Sequence, residues 1–97
     1  MRARVITIQY HPDKMEEGLQ MYRDVLTAAR QQAGFKGILG LIDREAGKAM
    51  SITLWETTSE IQASGEGSAY FQAQSARFAS VLAAAPVVET YEVVAQE

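Results

Sequence analysis

The chain has 97 residues, 47% of them hydrophobic and 22% charged, with a formal net charge of −3 and a pI near 5.1. That length makes one domain spanning residues 1–97, and the acidic balance with scattered Lys and Arg argues against nucleic acid or an anionic membrane as partner. The absence of cysteine rules out disulfides, thiolate catalysis and Cys-based metal sites.

Met1-Arg2-Ala3-Arg4 opens with basic residues, but the segment after it alternates through Thr7 and Gln9. That pattern reads as a strand and not as the apolar core of a signal peptide, and no apolar run approaches the ~18 residues of a membrane span. A cytoplasmic protein is the expectation.

Arg4 to Tyr10 is the first predicted strand, with Ile6, Ile8 and Tyr10 on one face and Val5, Thr7, Gln9 and His11 on the other. His11-Pro12 ends it, because the residue before proline is pushed to extended geometry. Asp13 and Glu16 then stand at capping spacing. Met15, Leu19, Tyr22, Leu26, Ala29 and Ala33 recur at intervals of three and four, the apolar stripe of a helix expected to reach about Gln32 and to close at Gly34. Gly18 weakens that helix by roughly 1 kcal/mol relative to alanine.

Phe35 to Ile42 and Lys48 to Glu56 read as two strands joined by Asp43-Arg44-Glu45-Ala46-Gly47, where Gly47 can supply the positive φ of a hairpin turn. Gly34, Gly37 and Gly40 lie along a strand and open no helix, so they mark a bulge or a close approach and not a phosphate loop. On the second strand of the pair, Met50, Ile52 and Leu54 share one face, expected to bury against helices. Ser51, Thr53 and Trp55 share the other, expected to be the side that helices leave bare.

Thr57 to Gln62 begins a second helix, with Ser59 and Gln62 at capping-box spacing. Gly65-Glu66-Gly67 interrupts it as a hinge or lid. Ser68 restarts it, and Phe71, Gln74, Phe78, Val81, Leu82 and Ala85 trace a face that Pro86 stops. Val87 to Ala95 is the last predicted strand. The order β-α-β-β-α-β is the ferredoxin-like arrangement, an α+β fold with a four-stranded antiparallel sheet and helices on one face. The uncovered sheet face of so small a domain calls for a partner, most simply a second copy in a homodimer.

The combination Ala33-Gly34-Phe35-Lys36-Gly37, the hairpin at Gly47-Lys48 and the strand ending Leu54-Trp55-Glu56-Thr57 resembles the antibiotic biosynthesis monooxygenase-like family. There a GF-x-G opening leads through a hairpin to a strand ending in W-E-S. The resemblance implies a ferredoxin-like dimer forming an α/β barrel, and a monooxygenase (an oxidoreductase) that works without a cofactor on an aromatic or quinone-like small molecule. The cofactor-free polyketide oxygenases of the family carry Asn four residues before this Trp and Tyr six after it; here those positions are Ser51 and Ile61. The haem-degrading relatives need an Asn, a second Trp and a helical His, whereas this chain has one Trp, no Asn and His11 alone.

The candidate catalytic residues are Trp55, which can stack on an aromatic substrate, and His11, whose unperturbed pKa suits a general base. Ser51, Thr53 and Tyr10 are candidates for substrate contacts, with Tyr70 and Tyr91 as further phenolic donors. One histidine and no cysteine make no metal first shell. The rival reading is a non-catalytic small-molecule-binding or stress-associated dimer with the same fold, favoured by the substitutions at Ser51 and Ile61.

Overall fold

The computed structural model describes residues 1–65 and 68–97 of the chain. Glu66 and Gly67 of the expected hinge, and the side chain of Tyr70, lie outside the described residues. Strand β1 (Arg2–Gln9) leads through a 3-10 turn (Pro12–Lys14) into helix α1 (Met15–Arg30). Strands β2 (Phe35–Asp43) and β3 (Lys48–Trp55) form the hairpin, followed by α2 (Thr58–Ala63), α3 (Ala69–Phe78) and β4 (Val87–Glu92). The sheet order is β2-β3-β1-β4, antiparallel throughout, which is the expected ferredoxin-like topology.

Local chemistry explains the joints. Gly47 closes the β2–β3 hairpin at φ 67°, a conformation costly for any residue with a Cβ. The register of β2 on β3 slips between Phe35 and Gly37, a bulge that absorbs Lys36. Asp13 makes no cap; no side chain caps either the 3-10 turn or α1, and the Pro12 turn itself feeds the helix. α1 ends at Arg30, two residues short of the expected Gln32. The capping box of α2 is Thr57 with Glu60, not Ser59 with Gln62, because Thr57 is the residue in extended geometry. Ser68 caps α3 as expected, its Oγ accepting from the Phe71 amide at 3.1 Å. That helix stops at Phe78, well before Pro86, because the chain turns so that Leu82 bridges Tyr10. β4 likewise ends at Glu92, short of Ala95.

The faces of the sheet are the reverse of expectation. Cross-strand register puts Arg4 opposite Thr53, Ile6 opposite Ser51 and Ile8 opposite Ala49, and this is the side that the helices cover. Trp55 lies there with no exposure at all. Ile8, Tyr10, Val25, Ala49, Phe78 and Val81 form the buried core between this face and the helices. Met50, Ile52 and Leu54 are only partly buried, on the opposite face, beside Val5, Leu39 and Tyr91. Leu39 is 56% exposed, Leu41 46%, Val87 55% and Tyr91 50%. The total accessible surface is 5978 Å², against roughly 5,500 Å² for a compact monomer of this mass.

Candidate functional site

A cavity of ≈ 70 Å³ lies between the helix-covered face of the sheet and the helices α1 and α3. β1 contributes Arg4, Ile6 and Ile8, and β3 contributes Ser51 and Thr53. From above come Tyr22 and Val25 on α1 and Phe71, Gln74, Ser75 and Phe78 on α3. These α3 positions are spaced by three and four residues, so one face of the helix looks onto the cavity. The lining is mostly apolar, with a few polar groups that can fix a ligand's orientation.

The phenol of Tyr22 and the hydroxyl of Ser51 are 2.8 Å apart, joining α1 to β3 across the cavity wall. Burial raises the Tyr22 pKa, against a lowering by the Ser51 bond, so the phenol is neutral and one O–H of the pair is free to donate elsewhere. Tyr22 also borders a second cavity of ≈ 130 Å³ beside Leu19, Gly40 and Met50, so its ring is the partition between the two. Gly40 makes room for that ring. A Cβ there would meet the Tyr22 Cε1 at 2.9 Å, and so the close approach expected of these glycines is to α1.

Arg4 is 3% exposed and holds the far end of the cavity. Its Nη2 donates to the Ile61 carbonyl and, at 2.9 Å, to Ser64 Oγ, tying β1 to α2. Its guanidinium carbon lies 5.3 Å from the Trp55 ring centroid and 5.5 Å from that of Phe71. Trp55 in turn donates from Nε1 to Thr53 Oγ1 at 2.8 Å and meets Phe35 edge-on at 5.9 Å. The indole is thus walled off behind Arg4 and Thr53, and it does not line the cavity.

The structure brings Ser51 and Thr53 together at the cavity. Tyr10 is 1% exposed, packed in the core, and borders the second cavity only. Burial raises its pKa, with Tyr22 adding to the rise. His11 is exposed at the end of β1, its amide bonded to the Val81 carbonyl at 2.9 Å, away from both cavities. Arg4, Tyr22 and Gln74 were not among the expected site residues. Tyr22 and Gln74 interrupt apolar helical stripes with polar atoms, which was the signal available. Arg4 is a charge on the face of β1 that alternation already buries.

Among the described residues, no group of three or more His, Asp or Glu is placed to hold a metal ion, and no helix is long and apolar enough to cross a membrane.

No protein-family model matches the sequence. The chain is 32% identical over 96 residues to an uncharacterized protein of Mycobacterium tuberculosis, and 35% identical over 65 residues to a second one from that organism. These alignments take in 96% and 66% of this chain but 41% and 28% of those proteins, so the chain spans well under half the length of the curated relatives it matches. Among solved structures, an antibiotic biosynthesis monooxygenase superposes with a TM-score of 0.80 at 14% identity, covering 98% of this chain and 100% of that one. A protein from Bordetella bronchiseptica, proposed to be an antibiotic biosynthesis monooxygenase, gives 0.83 at 18% identity, covering 97% of each chain. A protein of unknown function from Nitrosomonas europaea gives 0.82 at 17%, covering 99% of this chain and 91% of that one. The resemblance carried by Gly34-Phe35 and Leu54-Trp55-Glu56 therefore extends to the whole backbone, and the chain has the ferredoxin-like fold of the antibiotic biosynthesis monooxygenase-like structures.

Proposed function

We propose that the chain is a member of the antibiotic biosynthesis monooxygenase-like family and binds an apolar, aromatic or quinone-like small molecule in the cavity between β1, β3 and the helices. The observation that carries this reading is the cavity itself, with apolar walls and with Arg4, Tyr22–Ser51, Thr53, Gln74 and Ser75 as its polar groups. The guanidinium of Arg4 at one end can donate to an oxygen of the ligand, which suits a ligand that forms an enolate or phenolate. Electron-rich carbanions of that kind react with dioxygen without a bound cofactor. A substrate methylene becomes a carbonyl by R2CH2 + O2 → R2C=O + H2O, the substrate supplying the electrons and one oxygen atom leaving as water. In this reading Ser51 and Thr53 contact substrate, Trp55 fixes Thr53 through its N–H, and His11, exposed away from the cavity, has no role.

The uncovered sheet face with Leu39, Leu41, Ile52, Leu54 and Tyr91 supports a homodimer, since apolar patches of this kind mark association surfaces. Oxygen uptake with a hydroxyanthrone is the test of turnover. The expected result is stoichiometric consumption that Arg4→Met and Ser51→Ala diminish at least tenfold; uptake indifferent to both changes overturns the assignment.

The second reading, a non-catalytic binding dimer, is favoured by the walling-off of Trp55 and by the occupants of the two key positions. Ser51 is engaged by Tyr22, and Ile61 is 4% exposed with its carbonyl engaged by Arg4. Ligand-induced stabilisation without any oxygen uptake decides for it.

A further inference from the structure

Gln74 stands in the cavity-facing row of α3 between Phe71 and Phe78, where the pattern of the helix calls for an apolar side chain. Its Oε1 is buried and has no hydrogen-bond partner among the described residues. A buried carbonyl oxygen without a donor is destabilising, and native structures leave few of them. Most of the lining around it is apolar, with no donors on Ile6, Ile8, Val25, Phe78 and Leu82, and no donor among the described residues is placed to bond it. The terminal torsion of a glutamine is broad, so Oε1 can turn onto a group entering the cavity.

We propose that Gln74 is the specificity-determining acceptor of this cavity, which selects ring compounds that present an O–H or N–H donor, such as phenols and hydroquinones, over hydrocarbons of the same shape. The inference rests on the reading of the cavity as a small-molecule site and names what that site discriminates. Size sets the rest of the ligand. An apolar cavity of about 150 Å³ takes a benzene ring, so the ≈ 70 Å³ here encloses only the donor-bearing edge of one ring, and the remainder lies in the mouth beside Ser75 and Pro86. A site built to bond a donor rejects the analogue lacking it strongly, whereas a purely apolar cavity prefers the hydrocarbon, because the hydroxyl must shed its water.

The test is titration of the full chain with 4-methylphenol and with 1,4-dimethylbenzene, which differ by OH against CH3, followed by amide chemical-shift changes. The expected result is at least tenfold tighter binding of the phenol. Gln74→Met, close in volume and without an acceptor carbonyl, reverses the preference, and Gln74→Glu retains it. If Gln74→Met does not give a folded spectrum, Gln74→Leu takes its place. Binding of both probes with the hydrocarbon equal or tighter overturns this inference and leaves the cavity reading intact. Binding of neither overturns both. A phenol preference that survives in Gln74→Met, or in Gln74→Leu, moves the acceptor elsewhere and also overturns it.

Discussion

The guanidinium of Arg4 lies against the indole of Trp55, 5.3 Å from the ring centroid, with both side chains sealed from solvent. From that position Arg4 binds the Ile61 carbonyl and Ser64 Oγ and so anchors α2 to the sheet. Arg4→Met keeps the length of the side chain but loses the charge-assisted bonds and the cation–π contact, and is expected to destabilise the fold by about 2–3 kcal/mol. Arg4→Lys, without the planar fork, falls between. Since the chain has a single tryptophan, urea unfolding followed by its fluorescence reports this site directly. An unchanged midpoint in Arg4→Met would show that the contact is incidental.

The bond between Tyr22 and Ser51 should contribute about 1 kcal/mol in a double-mutant cycle of Tyr22→Phe and Ser51→Ala. Each single change leaves one hydroxyl-bearing partner without its mate, so the double variant is expected to be more stable than the sum of the singles implies. Additivity within ~0.3 kcal/mol would mean that the hydroxyls do not bond in solution.

Gly18→Ala tests packing against propensity. Helix propensity alone favours alanine by roughly 1 kcal/mol. The structure opposes it, since a Cβ at Gly18 would meet Tyr10 Cε1 at 2.3 Å, and Tyr10 is 1% exposed and packed in the core. Overpacking of this kind costs about 1–3 kcal/mol, so a net loss of stability is expected in thermal unfolding. A rise in Tm would contradict the placement of Tyr10 on α1.

Alkaline pH should unfold the protein in a way that depends on Tyr10 and Tyr22. Burial is the main cause raising the pKa of both phenols, so each stays protonated in the folded state after its unfolded counterpart ionises near 10.0. Above that pH the unfolded chain binds fewer protons than the folded one, and stability falls as pH rises toward the folded pKa values. Their contribution is fully present below pH 10. Tyr22→Phe should flatten the decline above pH 10, measured as the urea midpoint at each pH.

Association through the bare sheet face predicts that Leu39→Lys with Leu41→Lys gives a monomer by light scattering at concentrations where the parent chain is a dimer. Both residues are about half exposed in the single chain, so the charges cost little in the monomer and are costly in an apolar interface. A parent chain that is monomeric at high concentration would remove the homodimer from the proposed function.

Much of the fold was legible because it depends on local periodicity. The alternation in Arg4–Tyr10 and Lys48–Glu56, the stripe through Leu19, Tyr22 and Leu26, Gly47 at the turn and Ser68 at a helix start each fix an element by short-range geometry. Helix ends were less legible. Thr57 outcompeted Ser59 as a cap, and the chain beyond Phe78 left the helix so that Leu82 could bridge Tyr10.

Which face of the sheet is covered could not be read from alternation. A period of two says that Ser51, Thr53 and Trp55 lie together and that Met50, Ile52 and Leu54 lie together, but nothing about which set meets the helices. The more apolar set is the one left open, so hydrophobicity pointed the wrong way. The sequence by itself determined the elements, their order and the companions each side chain keeps on its own strand or helix. Only tertiary packing decided that Arg4 backs onto Trp55, that Tyr22 reaches Ser51, and that Gln74 looks into a cavity, because these relations join segments far apart in the chain, 29 residues for Tyr22 and Ser51, and their geometry is set by how helices lie across the sheet.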